Sequence, residues 1–444
     1  MKPDRYIAAI EISSSRITAA VGRTREGGIL EIIAIDSEKT EESVRYGVIQ
    51  NLEEAATRTR HLIDRLQRKP EVSPRRISGL YVGLSGRSVR SVIAEASIRL
   101  PEESEITEDV LDRLRDKALQ TSVGGRLEVI DAVPRTFRIG NLETLSPKGS
   151  IGQEISATYD LIVCRPELRR NITRTLPEKL GIQNEGFVIT GIATGHILLK
   201  EEERRLGCML VDFGAETTTV SIYKFGHLLF FATLPLGGRN ITRDLTSLNM
   251  LEENAEQIKR TSGNALASET QANINLNGLK YSDVSNIVVA RAEEIVANVI
   301  ETIEYAGLRE TDLPGGIVCI GGASNLNGLL ELLTSKSNLP VRRGSLPPYI
   351  RLEGAIPAAN SLQLACIMYE GAELNDAECL SMPQREGIPV TGTPNTPADN
   401  TLTDHVTPEK PETPGHRKSW FGKIKKGLTD YFGSDPEADN DEMI

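Results

Sequence analysis

Two acidic residues far apart in the chain, Glu11 and Asp212, sit in stretches of the same build. Tyr6–Gly22 can be laid over Gly207–Tyr223. In each, an apolar strand runs into the carboxylate, a small-residue turn follows, and a hydroxyl-rich strand returns. A strand, a tight turn and a second strand let backbone N–H groups approach a phosphate, while the carboxylate holds hydrated Mg²⁺. One such hairpin says little, because acidic turns between strands are common. Two in equivalent places point to a duplicated α/β domain closing on a nucleotide. The candidate phosphate residues are Glu11, Ser13, Ser14, Ser15 and Arg16 in the first hairpin, and Asp212, Gly214, Thr217 and Thr218 in the second. Glu11 and Asp212 are the candidate metal residues, acting through water.

A different chemistry is written near the C-terminal end, in Arg417–Phe432. At about 100° per residue, Trp420, Tyr431, Ile424, Leu428, Phe421 and Phe432 fall within an arc of about 120°. Lys418, Lys423, Lys425 and Lys426 fall outside it, and Trp420 is the only tryptophan in the chain. A basic face opposite large apolar side chains is what a helix lying in a membrane surface needs beside anionic lipid. A core helix and a partner-binding helix are the two alternatives. Full burial of six such side chains contributes about 9–18 kcal/mol. Insertion is only partial, and ordering the helix costs about 1 kcal/mol or more per residue. One copy is therefore marginal. Copies arrayed side by side gain on the order of 10²–10⁴ in effective affinity. The acidic end, Ser434–Ile444, either tunes attachment or caps the helix electrostatically.

These residues need a scaffold. The chain has 444 residues, with 39% hydrophobic and 25% charged, enough for several cored domains. Apolar strand-like runs (Tyr6–Ile10, Ile77–Val82, Cys208–Val211, Ile317–Ile320) alternate with helical stretches (Leu52–Leu66, Thr107–Thr121, Arg165–Leu180, Arg291–Ala306), which argues for an α/β body. The net charge of −11 argues against nucleic acid as a partner. The five cysteines are scattered singly, as suits reduced thiols, and the dispersed histidines suggest no zinc site. Neither a signal peptide nor a membrane-spanning helix is expected. From Gly371 to Gly415 the chain holds seven prolines, eight acidic residues, two basic ones and no aromatics. That composition reads as a disordered linker with a typical span of about 35–40 Å.

With those residues placed, the sequence resembles the actin superfamily and, within it, the FtsA family of bacterial cell-division proteins. The resemblance covers residues 5–345. Ile10–Arg16 matches the first phosphate loop and Val211–Thr218 the second. Ala255–Lys259 resembles the helix before the adenosine pocket, Ile320–Gly328 the adenosine loop, and Pro235–Asp244 a further family segment. Gly83–Val163 has the character of the insertion that distinguishes this family, with Thr107 placed as a helix N-cap and Glu128–Ile139 as a strand region.

The resemblance implies an actin-like two-domain fold with duplicated ribonuclease-H-like sheets. Residues 1–83 and 164–200 form subdomain 1A, with 84–163 inserted as an SHS2-like subdomain 1C. Residues 201–239 and 309–370 form subdomain 2A, and 240–308 form 2B. Residues 371–415 are the linker, 416–432 the membrane helix and 433–444 an acidic tail. It adds Gly238, Glu256, Lys259, Gly321, Gly322 and Ala323 to the nucleotide set; Glu256 and Lys259 alternatively form an i, i+3 surface pair.

The implied cofactors are ATP and Mg²⁺, with at most a weak ATPase. The implied partners are FtsZ and other division-ring proteins, copies of itself and an anionic membrane surface, at the cytoplasmic side of the septum. The competing readings are a sugar- or acetate-kinase-like phosphotransferase and a pilus-assembly relative. The loops depart from the family pattern. Glu11 and Ser13 replace aspartate and glycine, and Ala215 and Glu216 stand where the family has glycines. Glu216 is expected to repel phosphate unless it points outward or meets the metal.

Overall fold

The computed structural model describes residues 5–266, 275–276, 279–354, 356 and 358–383. The chain divides into Met1–Met382 and Pro383–Ile444. The expected membrane helix, the acidic tail and the linker beyond 383 lie outside the described residues.

The first half is built on a six-stranded sheet. Its order is Gln183–Ile189, Gly79–Leu84, Arg5–Ile12, Arg16–Arg25, Ile29–Lys39 and Ile350–Leu352. The second sheet contains Val341–Arg343, Ile317–Ile320, Cys208–Phe213, Thr218–Lys224 and His227–Leu234 in the same relative order. In both, an antiparallel three-strand meander pairs in parallel with the next strand inward. The duplication read from the two acidic hairpins is thus present strand for strand. Arg5–Ile12 is buried along nearly its whole length, as a central strand covered on both faces must be. Its Ala8 and Ala9, with Ala19 and Ala20 of the neighbouring strand, are fully buried, alternating between the two faces of the sheet.

The insertion extends the second sheet. Leu142–Thr144, Glu128–Ile139, Ile151–Cys164 and Arg90–Glu105 continue it to nine strands, joined to the meander by the single pair Ala232–Arg90. The insertion has its own core, with Ile106, Val110, Leu114, Phe137 and Tyr159 packed together. The Arg135 guanidinium grips the fully buried Asp160 carboxylate at 2.9 and 2.7 Å and also donates to the Leu229 carbonyl. Arg135 therefore ties the insertion to the second half, together with Ser91, whose hydroxyl accepts the Phe231 N–H at 3.0 Å.

Three expectations change. Thr107 does precede the helix Glu108–Leu119, but its hydroxyl makes no capping bond. The stretch Arg165–Leu180 splits into an α-helix, Pro166–Thr173, and a wider π turn, Arg174–Leu180, because Pro177 has no N–H to continue the ladder. The linker boundary at 371 is also corrected. The helix Ala358–Leu374 runs through it, since Gly371 lies where a Cβ would come within 2.5 Å of the Tyr81 ring. That glycine is a packing residue and not a breaker. Leu380–Ser381 then pairs with Arg76–Ile77, the Cys379 N–H donates to the Tyr6 carbonyl at 3.0 Å, and Arg5 donates to the Asn375 and Ala377 carbonyls.

Candidate functional site between the two hairpins

Glu11 ends the first strand beside Gly83, and Asp212 holds the equivalent place beside Ile320. They are close enough to interact. Burial pushes the Glu11 carboxyl up to about 8, helped by the Asp212 charge and opposed by Arg16. Burial likewise raises Asp212 to about 6, although Gln363 donates to its Oδ2 at 2.6 Å. Two half-buried carboxylates sharing one space resist ionisation together, and a cation between them removes the conflict.

Donor chemistry at this floor fits a hydrated divalent ion. The second Asp212 oxygen, Oδ1, is buried with no hydrogen-bond partner among the described residues, and so is the Thr190 hydroxyl at the start of the helix Thr190–Leu198. Mg²⁺ is ordinarily held by one or two carboxylates and several waters, which matches this sparse set. Glu11 and Asp212 would hold it.

The turns themselves are ordered by their own backbone. The Ser13 N–H and hydroxyl both donate to the Arg16 carbonyl, at 3.0 and 2.9 Å. Ser13 keeps a negative φ, so the missing glycine introduces no left-handed strain. The Ser14 carbonyl accepts the Thr40 hydroxyl, and the Ser15 carbonyl accepts the Thr40 N–H. In the second turn the Gly214 N–H donates to the Thr217 carbonyl at 2.8 Å, and the Thr218 hydroxyl donates to the Leu236 carbonyl. The Gly238 and Arg239 N–H groups donate back to Gly214 and Ala215, seating the helix Gly238–Leu245 against this loop.

The residues expected around adenosine fall into two groups. Gly238 lies against Ala323 and Lys259; a Cβ there would come within 2.9 Å of the Ala323 methyl. Lys259 Nζ donates to the Gly238 carbonyl at 2.9 Å and to Glu256 at 2.5 Å, so the i, i+3 pair forms while Lys259 also reaches the loop. Gly321, at φ 86, instead sits against Asp212, where a Cβ would fall 2.3 Å from Oδ1. Beside it, Gly322 faces open space.

Glu216 overturns its expectation. It neither points outward nor faces the metal residues. Its side chain is 1% exposed and paired with Arg45, Arg239 and Arg243 at 3.0, 3.2 and 2.8 Å. Burial alone would raise its carboxyl; the Tyr46 N–H and the three guanidiniums outweigh that and hold it below the usual carboxylate range. Thr190, Gln363, Arg45 and Tyr46 were absent from the sequence-derived set. Only the sharp strand-to-helix step at Thr190 and the Tyr46–Gly47 turn left any local signal.

Paired meanders with acidic hairpins and bridging helices define an actin-like body. A solved PilM–PilN type IV pilus biogenesis complex shares this fold, at a TM-score of 0.57 and 16% identity over 83% of this chain and 98% of that one. The chain belongs to the FtsA family. The family model described as Cell division protein FtsA matches residues 209–358, and the SHS2 domain inserted in FtsA matches 86–163. Curated relatives named Cell division protein FtsA include one from Porphyromonas gingivalis, 30% identical over 73% of this chain and 70% of its own. Another, from Bacillus subtilis, is 27% identical over 82% and 84%.

Proposed function

We propose that the chain binds ATP with Mg²⁺ between its two halves, assembles into filaments with its own copies, and tethers FtsZ filaments to the cytoplasmic face of the cell membrane at the division septum. One observation carries the nucleotide part: two hairpins of identical build bring Glu11 and Asp212 together beside an unpartnered Asp212 oxygen, in a chain of the FtsA family. Backbone N–H groups of the two turns would hold the phosphates. Gly238, Lys259, Glu256, Gly321, Gly322 and Ala323 would border the adenosine. Bound Mg²⁺ would neutralise phosphate charge against the two carboxylates. Glu11 and Ser13 stand where the family has aspartate and glycine, and Ala215 and Glu216 where it has glycines, so turnover is slow at most and the protein acts mainly as an adaptor.

FtsZ is recruited through residues 240–308, and attachment uses Trp420, Phe421, Ile424, Leu428, Tyr431 and Phe432 with Lys423, Lys425 and Lys426. Liposome co-sedimentation with and without FtsZ tests both ends at once, using the full chain and a version ending at Gly415. The full chain should carry FtsZ into the lipid pellet, and the shortened one should not. Equal pelleting of FtsZ by both would refute the tether.

A further inference from the structure

We infer that Glu216 is a positioning residue that clasps the two phosphate hairpins together and sets how long nucleotide is retained; the retention part rests on the ATP-binding reading above. The short hairpin Val44–Arg45/Val48–Ile49 turns through Tyr46 at φ 49 and Gly47 at φ 79. Both central residues are left-handed, the pattern of a type I′ turn, and a tyrosine there is strained. The turn is pinned from below, since Arg87 donates its N–H to the Tyr46 carbonyl and a Cβ on Gly47 would come within 2.7 Å of the Ser85 carbonyl.

The strain aims two adjacent amides at two different places. The Gly47 N–H donates to the buried Ser14 hydroxyl of the first phosphate turn at 2.9 Å. The Tyr46 N–H donates to Glu216 of the second at 2.7 Å. One turn therefore holds both hairpins, and Glu216 is where it holds the second. Arg45 reinforces the link from the first half, while Arg239 and Arg243 brace the carboxylate from its own side. Outer carboxylates complete the charge balance, with Glu42 on Arg45 and Glu252 on Arg239. The halves cannot separate at the hairpins without stripping a 1% exposed carboxylate of the Tyr46 amide and Arg45 together. A nucleotide lying between the hairpins leaves by that separation.

Two readouts on the full chain test this. Amide exchange in the nucleotide-free protein should show residues 44–49 protected, and Glu216→Gly should remove that protection. Release of a preloaded fluorescent ATP analogue with Mg²⁺ should quicken on the order of 10- to 100-fold in Glu216→Gln, with association little changed. Arg45→Ala, which removes only the partner from the other half, should quicken release comparably, and the double variant should add little more. Unchanged exchange at 44–49 would overturn the clasp, whether or not the analogue binds. Rapid release in Arg243→Ala beside a silent Arg45→Ala would reduce Glu216 to local support within the second half. If Glu216→Gly fails to fold, exchange at 44–49 in Arg45→Ala tests the same link. A wild-type chain that does not take up the analogue, yet shows the exchange pattern, would refute the ATP reading and leave the clasp standing.

Discussion

At the scale of single residues, the floor of the cleft is a protonation problem. Glu11 at about 8 and Asp212 at about 6 both lie above the ordinary values of 4.5 and 3.8. The folded chain therefore holds protons that the unfolded chain has lost. The stability this confers is full below the ordinary carboxylate range and disappears as pH rises towards 8. Each tenfold change in proton affinity is worth about 1.4 kcal/mol, so the metal-free protein should lose a few kcal/mol over that range. Denaturant midpoints from about pH 5 to 8 should fall in wild type, fall much less in Glu11→Gln, and flatten when Mg²⁺ and ATP are added. A flat wild-type profile would remove the carboxylate conflict from the account. Glu11 and Asp212 were legible because two hairpins of one pattern could be superposed in the sequence. Glu216 was legible as a departure but not as a clasp, since its partners Arg45 and Tyr46 lie about 170 residues away in the chain. Gln363 and Thr190 had no counterpart to be superposed on.

At the scale of elements, the joint between the insertion and the second half rests on few contacts. Among the described strands it has one backbone pair, Ala232–Arg90, the Phe231 N–H on the Ser91 hydroxyl, and the Arg135 side chain between Asp160 and Leu229. Burial raises the Asp160 carboxyl to about 6 despite its bidentate guanidinium partner. Asp160→Ala would leave that guanidinium partly buried and unpaired, a loss of about 3–5 kcal/mol. Thermal unfolding should then show the insertion melting ahead of the body, and a single unshifted transition would refute this. Strand and helix cores were legible from apolar runs, because period and length survive averaging. Their ends were not. Gly371 opens a proline-rich, acidic stretch, yet its missing side chain is what lets the helix pack on Tyr81.

At the scale of the whole molecule, the proposed membrane helix, marginal as a single copy, would on a self-assembling body make attachment depend on number. Liposome binding of the full chain should rise steeply above the concentration at which it self-associates, because neighbouring helices act by avidity. Trp420→Glu with Phe421→Glu should abolish it, and simple linear partitioning of wild type would contradict the coupling. The duplicated plan was legible in outline from two hairpins. The continuation of the insertion into a nine-stranded sheet was not, because it hangs on one residue pair that no local pattern marks.

The anchoring of the segment Asn375–Ser381 on the body's first strand and on Arg76–Ile77 has a mechanical consequence. Cys379 bonds to Tyr6, Leu380–Ser381 to Arg76–Ile77, and Arg5 grips the carbonyls of Asn375 and Ala377. Any tension arriving along the chain beyond Met382 is taken up in shear by these short ladders and passed into the strand Arg5–Ile12. The load path runs through a central, largely buried strand of the first sheet and bypasses the joint at Glu216. A protein pulled at this end would feel the force in its frame while its hinge stayed slack.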